Sequence, residues 1–145
     1  MPAFEMTADD GSVVSDASLR GTRYVLYFYP KDDTPGCTTQ ACSLRDSFAA
    51  VTGTGVEVFG VSPDSVRSHV KFRDKYALPY RLLSDEGHQA AEAFGVWIEK
   101  SRYGRTYFGN ERTSFIVGPD GTVEHVLPKV KPDEHVGLIL EALAA

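Results

Sequence analysis

The chain has 145 residues, 42% of them apolar and 24% charged, and its 15 basic against 20 acidic side chains give a formal net charge of −5. That is one domain, 1–145, able to bury a core without a disulfide or a metal, and the composition excludes a disordered or fibrous chain. A mildly acidic chain with no basic run is a poor partner for nucleic acid or anionic membranes.

Its longest apolar runs, such as Tyr24-Val25-Leu26-Tyr27-Phe28-Tyr29, fall far short of the ~20 residues of a membrane span. The first residues include Glu5, Asp9, Asp10 and Asp16 and no apolar secretory stretch. A cytoplasmic protein is expected.

Taken in chain order, Phe4–Thr7 and Ser12–Ser15 flank Asp10-Gly11, a tight-turn signal, and predict an N-terminal β-hairpin. Arg23–Tyr29 is aromatic and β-branched, reads as a buried strand, and is stopped by Pro30. Lys31–Gly36 is a polar loop. From about Thr38 to Val51, Ala41, Leu44, Phe48 and Val51 recur at helical spacing, and Gly53-Thr54-Gly55 ends that unit. Val56–Val61 is a second buried strand. Ser62-Pro63-Asp64 opens a helix to about Tyr76 with Val66, Val70 and Tyr76 as core candidates. Tyr80–Leu83 is a short strand, and Ser84-Asp85-Glu86 opens a helix that ends at Gly95. Glu99–Asn110 is polar and reads as loop. Thr113–Val117 and Thr122–Leu127 form a hairpin about Pro119-Asp120-Gly121, and Pro132-Asp133-Glu134 starts a final helix carrying Val136, Ile139, Leu140 and Leu143. This alternation predicts an α/β fold with a central mixed sheet flanked by helices. It suits a thioredoxin-like fold and several other α/β arrangements.

Cys37 and Cys42 are the two cysteines. Buried small hydrophobes, half a metal site and redox chemistry are all open to such a pair. Cys37 stands where a strand and a polar loop give way to a helix, and the free N–H groups and partial positive charge of a helix N-terminus favour a thiolate. The helix end alone is worth roughly 0.3–1 kcal/mol, too little to ionise a thiol whose free pKa is about 8.5. A cation within about 4–6 Å adds ~1–3 units, so a working nucleophile calls for an Arg or Lys from elsewhere in the chain. Five helical steps separate the two Cα atoms by roughly 8–9 Å, beyond the ~7 Å that a disulfide tolerates. A bridge between Cys37 and Cys42 therefore requires the helix to unwind.

The stretch Pro30-Lys31-Asp32-Asp33-Thr34-Pro35-Gly36-Cys37-Thr38-Thr39-Gln40-Ala41-Cys42 resembles the peroxiredoxins, whose Pro-x-x-x-Thr/Ser-x-x-Cys pattern is matched by Pro30, Thr34 and Cys37. The second cysteine five residues on is similar to the bacterioferritin-comigratory, or Q-type, subfamily. The likeness continues in Leu82-Leu83-Ser84-Asp85, Phe94-Gly95-Val96-Trp97 and Glu111-Arg112-Thr113-Ser114-Phe115. The resemblance implies a thioredoxin fold and a thiol peroxidase, with Cys37 as the peroxidatic and Cys42 as the resolving cysteine. It implies that Thr34 hydrogen-bonds the thiolate and the peroxide, that Pro30 shields the pocket, and that Arg112 is the active-site arginine. It implies small peroxide substrates, a thioredoxin- or glutaredoxin-type reductant, no metal or organic cofactor, and a monomer.

Other readings stand beside these. A redox-responsive binding protein would use the same two cysteines without turnover, and a general thiol–disulfide oxidoreductase would want Cys-x-x-Cys, which is lacking. Trp97 reads as core or as a wall of the pocket, Asp32-Asp33 as an exposed loop face, and His69, His88, His125 and His135 are given no catalytic role.

Overall fold

The computed structural model describes residues 2–53 and 55–144, so Thr54 of the expected Gly-Thr-Gly stop lies outside the described residues. Its centre is a seven-stranded mixed sheet in the order β2-β1-β5-β4-β3-β8-β9. The strands are β1 (Glu5–Ala8), β2 (Val13–Ser15), β3 (Tyr24–Phe28), β4 (Glu57–Ser62), β5 (Arg81–Ser84), β8 (Ser114–Val117) and β9 (Val123–Leu127). β3, β4 and β5 run parallel, while β8 runs antiparallel to β3. The N-terminal hairpin forms as expected, pairing Met6 with Val14, and adds to the sheet through β5.

The period of two in β3 divides the interior. Tyr24, Leu26 and Phe28 enter a core with Phe59, Val61 and Phe115. Val25, Tyr27 and Tyr29 face the opposite way, into a second core with Ala41, Leu44, Phe72, Ile116 and Ile139. That second core is covered by helices α1 (Pro35–Asp46), α2 (Phe48–Thr52), α3 (Val66–Tyr76) and α5 (His135–Ala144), and the first by α4 (Gln89–Ala93). Ile139 is buried, with Val136, Leu140 and Leu143 packed beside it, as the spacing predicted.

Four expectations are corrected. The helix of Cys37 opens at Pro35 rather than Thr38, because proline suits the first helical position, and it breaks at Ser47, whose backbone (φ −111°, ψ 15°) leaves the helical region. Helix α3 is capped by Ser65, which accepts from the Ser68 N–H, and it buries His69 and Phe72, while Val70 is exposed and Val66 is half-buried. A histidine on the buried face hid the true stripe. Helices α4 and α5 each start later than their opening signals, after His88 and at His135. Finally, Glu99–Asn110 is no loop: β6 (Trp97–Arg102) and β7 (Arg105–Asn110) form a separate antiparallel hairpin. It turns at Tyr103-Gly104, both at positive φ (53° and 74°), as a two-residue hairpin turn requires. Most of its side chains face solvent, so it lacks the apolar alternation that marks a half-buried strand.

Gly60, in the middle of β4, lets the ring of Tyr27 and Leu82 close over the sheet. A Cβ there would lie 2.9 Å from Leu82 Cδ2 and from the Tyr27 ring. Gly60→Ala is expected to cost about 1–3 kcal/mol by overpacking, seen as a lower urea midpoint at unchanged slope. An unchanged midpoint would mean that Tyr27 and Leu82 give way freely.

Candidate active site

Because β8 runs antiparallel to β3 with Tyr27 opposite Ser114, the residues just before β8 lie beside the end of β3 and the start of α1. The Thr113 carbonyl accepts from the Phe28 N–H (2.9 Å), and the Arg112 carbonyl accepts from the Val130 N–H (2.8 Å), which fixes the backbone on either side of the Arg112 side chain. Arg112 Nη1 then donates to Cys37 Sγ at 3.2 Å and to Gln40 Oε1 at 3.0 Å. A cation thus stands against Cys37, brought from 75 residues away.

Cys37 is the third residue of α1 and is buried (1% exposed) in the second core. The first backbone bond of the helix runs from the Thr38 N–H to the Thr34 carbonyl (2.8 Å), so the preceding N–H groups are left free at the helix end, where they favour negative charge. Gly36 is what admits the guanidinium: a Cβ on it would meet Arg112 Nη2 at 2.6 Å. Neither Gly36 nor Gln40 stands out in the sequence. Gln40 lies three residues along from Cys37, on the same helical face, and both are buried.

The network continues inward. Gln40 Nε2 lies 3.1 Å from His135 Nδ1, and His135 Nε2 lies 2.6 Å from Ser114 Oγ. His135 is fully buried. Burial, and secondarily the Arg112 charge, push its pKa down to about 3, so it is neutral at physiological pH. The sequence assigns it no catalytic role, since a lone histidine at the start of a helix carries no spacing signal.

Beside this cluster opens a cavity of about 520 Å³, lined by Pro30, Thr34, Pro35 and Arg112 on one side and by Trp97, Lys100, Tyr107 and Phe108 of the β6–β7 hairpin on the other. Pro30, Thr34 and Arg112 thus share the wall of one cavity. Thr34 departs from its expected contact: its hydroxyl donates to the Lys31 carbonyl (2.9 Å), so its proton is not on Cys37. Trp97 is partly buried, stacks on His88 (ring centroids 4.2 Å apart, 3° between planes), and lines the cavity, so both of its readings hold. Lys100, which the sequence placed in a loop, donates to the Asn110 carbonyl, and burial and the Arg112 charge lower its pKa.

Cys42 lies in the same helix, half-buried, and both thiols are free. Next to it the Tyr80 hydroxyl donates to the Ala41 carbonyl at 3.1 Å, and burial raises the Tyr80 phenol strongly. Asp32 is no exposed loop residue. It is 8% exposed, and its carboxylate accepts from Tyr29 Oη (2.5 Å), Ser68 Oγ (2.8 Å) and His69 Nδ1 (2.7 Å), while His69 Nε2 faces the Leu83 carbonyl (3.0 Å). Asp32 thereby pins the loop before α1 to α3. Asp33 does face solvent, where it meets Lys75 and Tyr76.

The family model described as the AhpC/TSA family matches residues 1–126. Peroxiredoxin Bcp of Bacillus subtilis (strain 168) is 44% identical over 142 residues, which cover 98% of this chain and 90% of that protein. Peroxiredoxin Bcp of Escherichia coli (strain K12) is 44% identical over 142 residues, covering 98% and 91%. A solved structure of the Xanthomonas campestris bacterioferritin comigratory protein, reported for its alkyl peroxide reduction activity, superposes with a TM-score of 0.91 at 35% identity, covering 97% of this chain and 90% of that one. The mixed sheet with its flanking helices is accordingly the thioredoxin-like arrangement.

Gly36→Ala would drive its new methyl into Arg112 Nη2. In a Cys42→Ser background, which isolates the first step, the substitution is expected to slow the reduction of one equivalent of peroxide by about tenfold or more as the guanidinium retreats from the sulfur. An unchanged rate would show that Arg112 keeps its contact by another route.

Proposed function

The chain belongs to the AhpC/TSA family and is a thiol peroxidase, and from that premise we propose how its residues divide the reaction. Cys37, as thiolate, attacks the terminal oxygen of a hydroperoxide. An S–O bond forms, the O–O bond breaks, and the alkoxide or hydroxide that leaves takes a proton from solvent to become an alcohol or water. Cys37 is left as a sulfenic acid. The Cys42 thiol then attacks that sulfur, an S–S bond forms and water leaves. An external dithiol of the thioredoxin or glutaredoxin type returns the two electrons by disulfide exchange.

The observation that carries this reading is the guanidinium of Arg112 donating to Cys37 Sγ at 3.2 Å on the first turn of a helix. The arrangement favours the thiolate before the reaction and stands ready to stabilise the charge that spreads to oxygen during it. Thr34, whose hydroxyl proton is already given to the Lys31 carbonyl, keeps lone pairs to accept the O–H of the incoming hydroperoxide. Pro30, half-buried on the cavity wall, keeps water off the sulfur. The aromatic lining from Trp97, Tyr107 and Phe108 gives room for an organic peroxide, in line with the alkyl peroxide activity reported for the Xanthomonas protein.

No helix among the described residues is long and apolar enough to cross a membrane. We place the enzyme in the cytoplasm, where dithiol reductants keep such cysteines in play. We take it to be a monomer, since both cysteines of the disulfide lie on one chain.

Cys37→Ser is expected to abolish peroxide reduction, because a serine hydroxyl is not ionised without a dedicated base. Cys42→Ser should consume about one equivalent of peroxide, accumulate sulfenic acid, over-oxidise more readily, and fail to turn over with thioredoxin. Undiminished thioredoxin-linked turnover of Cys42→Ser would overturn the resolving role, and turnover by Cys37→Ser would overturn the whole assignment.

A further inference from the structure

We propose that His135 is a positioning residue for peroxide reduction: anchored by Ser114, it fixes the amide of Gln40 and, through it, holds Arg112 against Cys37. This rests on the assignment of Cys37 as the attacking sulfur. Donors and acceptors meet in a fixed order along a chain of five side chains, buried except at Arg112, drawn from α1, the segment before β8, β8 itself and α5.

Arginine has only donors, so Gln40 must present Oε1, its acceptor, to Arg112 Nη1 (3.0 Å). The Gln40 amide nitrogen is thereby turned toward His135 Nδ1 (3.1 Å). An amide nitrogen donates, so Nδ1 must be the bare nitrogen and the ring proton must sit on Nε2. That proton is directed at Ser114 Oγ, 2.6 Å away. Each step permits one polarity, and the neutral Nε2–H ring is the form that satisfies it. Burial supports the same state by holding His135 uncharged well below neutral pH.

Were Nδ1 protonated, Gln40 would face a donor on each side. Its amide would rotate and turn an N–H₂ group toward the guanidinium, and Arg112 would lose the acceptor that shares Nη1 with the sulfur. The ring itself is held edge-to-face against Tyr27, with centroids 5.3 Å apart, and is fully buried. His135 does not line the cavity, and the hydrogen-bonded path from it to the sulfur runs through Gln40 and Arg112.

The test combines a spectroscopic readout with a mutant cycle. Nitrogen-15 chemical shifts of His135 in the reduced protein are expected to show the Nε2–H tautomer at neutral pH; the Nδ1–H tautomer or the imidazolium would overturn the proposal. His135→Phe keeps the ring packing but removes both nitrogens. It is expected to slow peroxide reduction by about ten- to a hundredfold, the range that misplacing a catalytic group by ~1 Å produces, and to move the Cys37 thiolate transition upward. His135→Gln, which can still accept from Gln40 and donate to Ser114, should recover most of the rate.

In an Arg112→Met background His135→Phe should slow the reaction no further, since coupled residues are not additive. A wild-type rate in His135→Phe, or an equal slowing in both backgrounds, would show that His135 does not act through Arg112. Should His135→Phe fail to fold, Ser114→Ala takes its place, with a smaller slowing in the same direction and the same loss of effect beside Arg112→Met. If Cys37→Ser still reduced peroxide, the assignment of the sulfur would fall by itself. The tautomer and the thiolate transition would then still decide whether His135 positions Arg112.

Discussion

A single guanidinium placed on the first turn of α1 sets the terms for the rest of this site. A helix N-terminus by itself shifts a thiol by only a fraction of a pH unit, and burial in an apolar core works against the thiolate. Cys37 is almost wholly buried among Ala41, Leu44 and Tyr27, so without a cation it would be an inert core residue. Arg112 sets a cation 3.2 Å from the sulfur, and three otherwise unrelated features let it do so. β8 runs antiparallel to β3 and delivers Arg112 to the right end of the sheet. Gly36 has no side chain to exclude the guanidinium. Gln40, one turn along α1, supplies the acceptor that holds it.

The same helix carries a conflict. Its regular geometry sets Cys37 at the free N–H groups of its first turn, yet it holds Cys42 roughly 8–9 Å away between Cα atoms, too far for the bond that completes the proposed cycle. The first turns of α1 must therefore open after each peroxide is reduced. Opening breaks a few backbone bonds worth about 0.5–1.5 kcal/mol each and uncovers Ala41 and Leu44, both fully buried in the reduced form. It also strips the Tyr80 hydroxyl from the Ala41 carbonyl. The loop before the helix is secured from the other side, where Asp32 meets His69, Ser68 and Tyr29.

Much of this was legible in the sequence because it rests on local chemistry. The buried strand Tyr24–Phe28 stopped by proline, the turn glycines, and the cysteine at a strand-to-helix junction each follow from a few adjacent residues. The requirement for a distant cation also followed, from the size of the helix-end effect, although Arg112 itself was identified only through the likeness to the peroxiredoxins. What stayed hidden depends on contacts across the fold. Gln40 reads as an ordinary polar residue of a helix, and His135 is a scattered histidine with no evident partner until α5 is packed against β8. Asp32 reads as solvent-facing until His69 turns out to lie on the buried face of α3. The β6–β7 hairpin escaped notice because its strands are held by cross-strand pairing rather than by an apolar face, and it forms half of the cavity.

The claim that Arg112 both ionises Cys37 and stabilises the reaction itself is tested most directly by the rate of peroxide reduction of wild type and Arg112→Met, followed to a pH at which both thiols are fully ionised. The rates are expected to stay apart there by about tenfold or more, because a donor aimed at the reacting oxygen is worth roughly 10²–10³ in comparable sites. Convergence of the two rates at high pH would contradict this and reduce Arg112 to a charge that merely deprotonates the thiol.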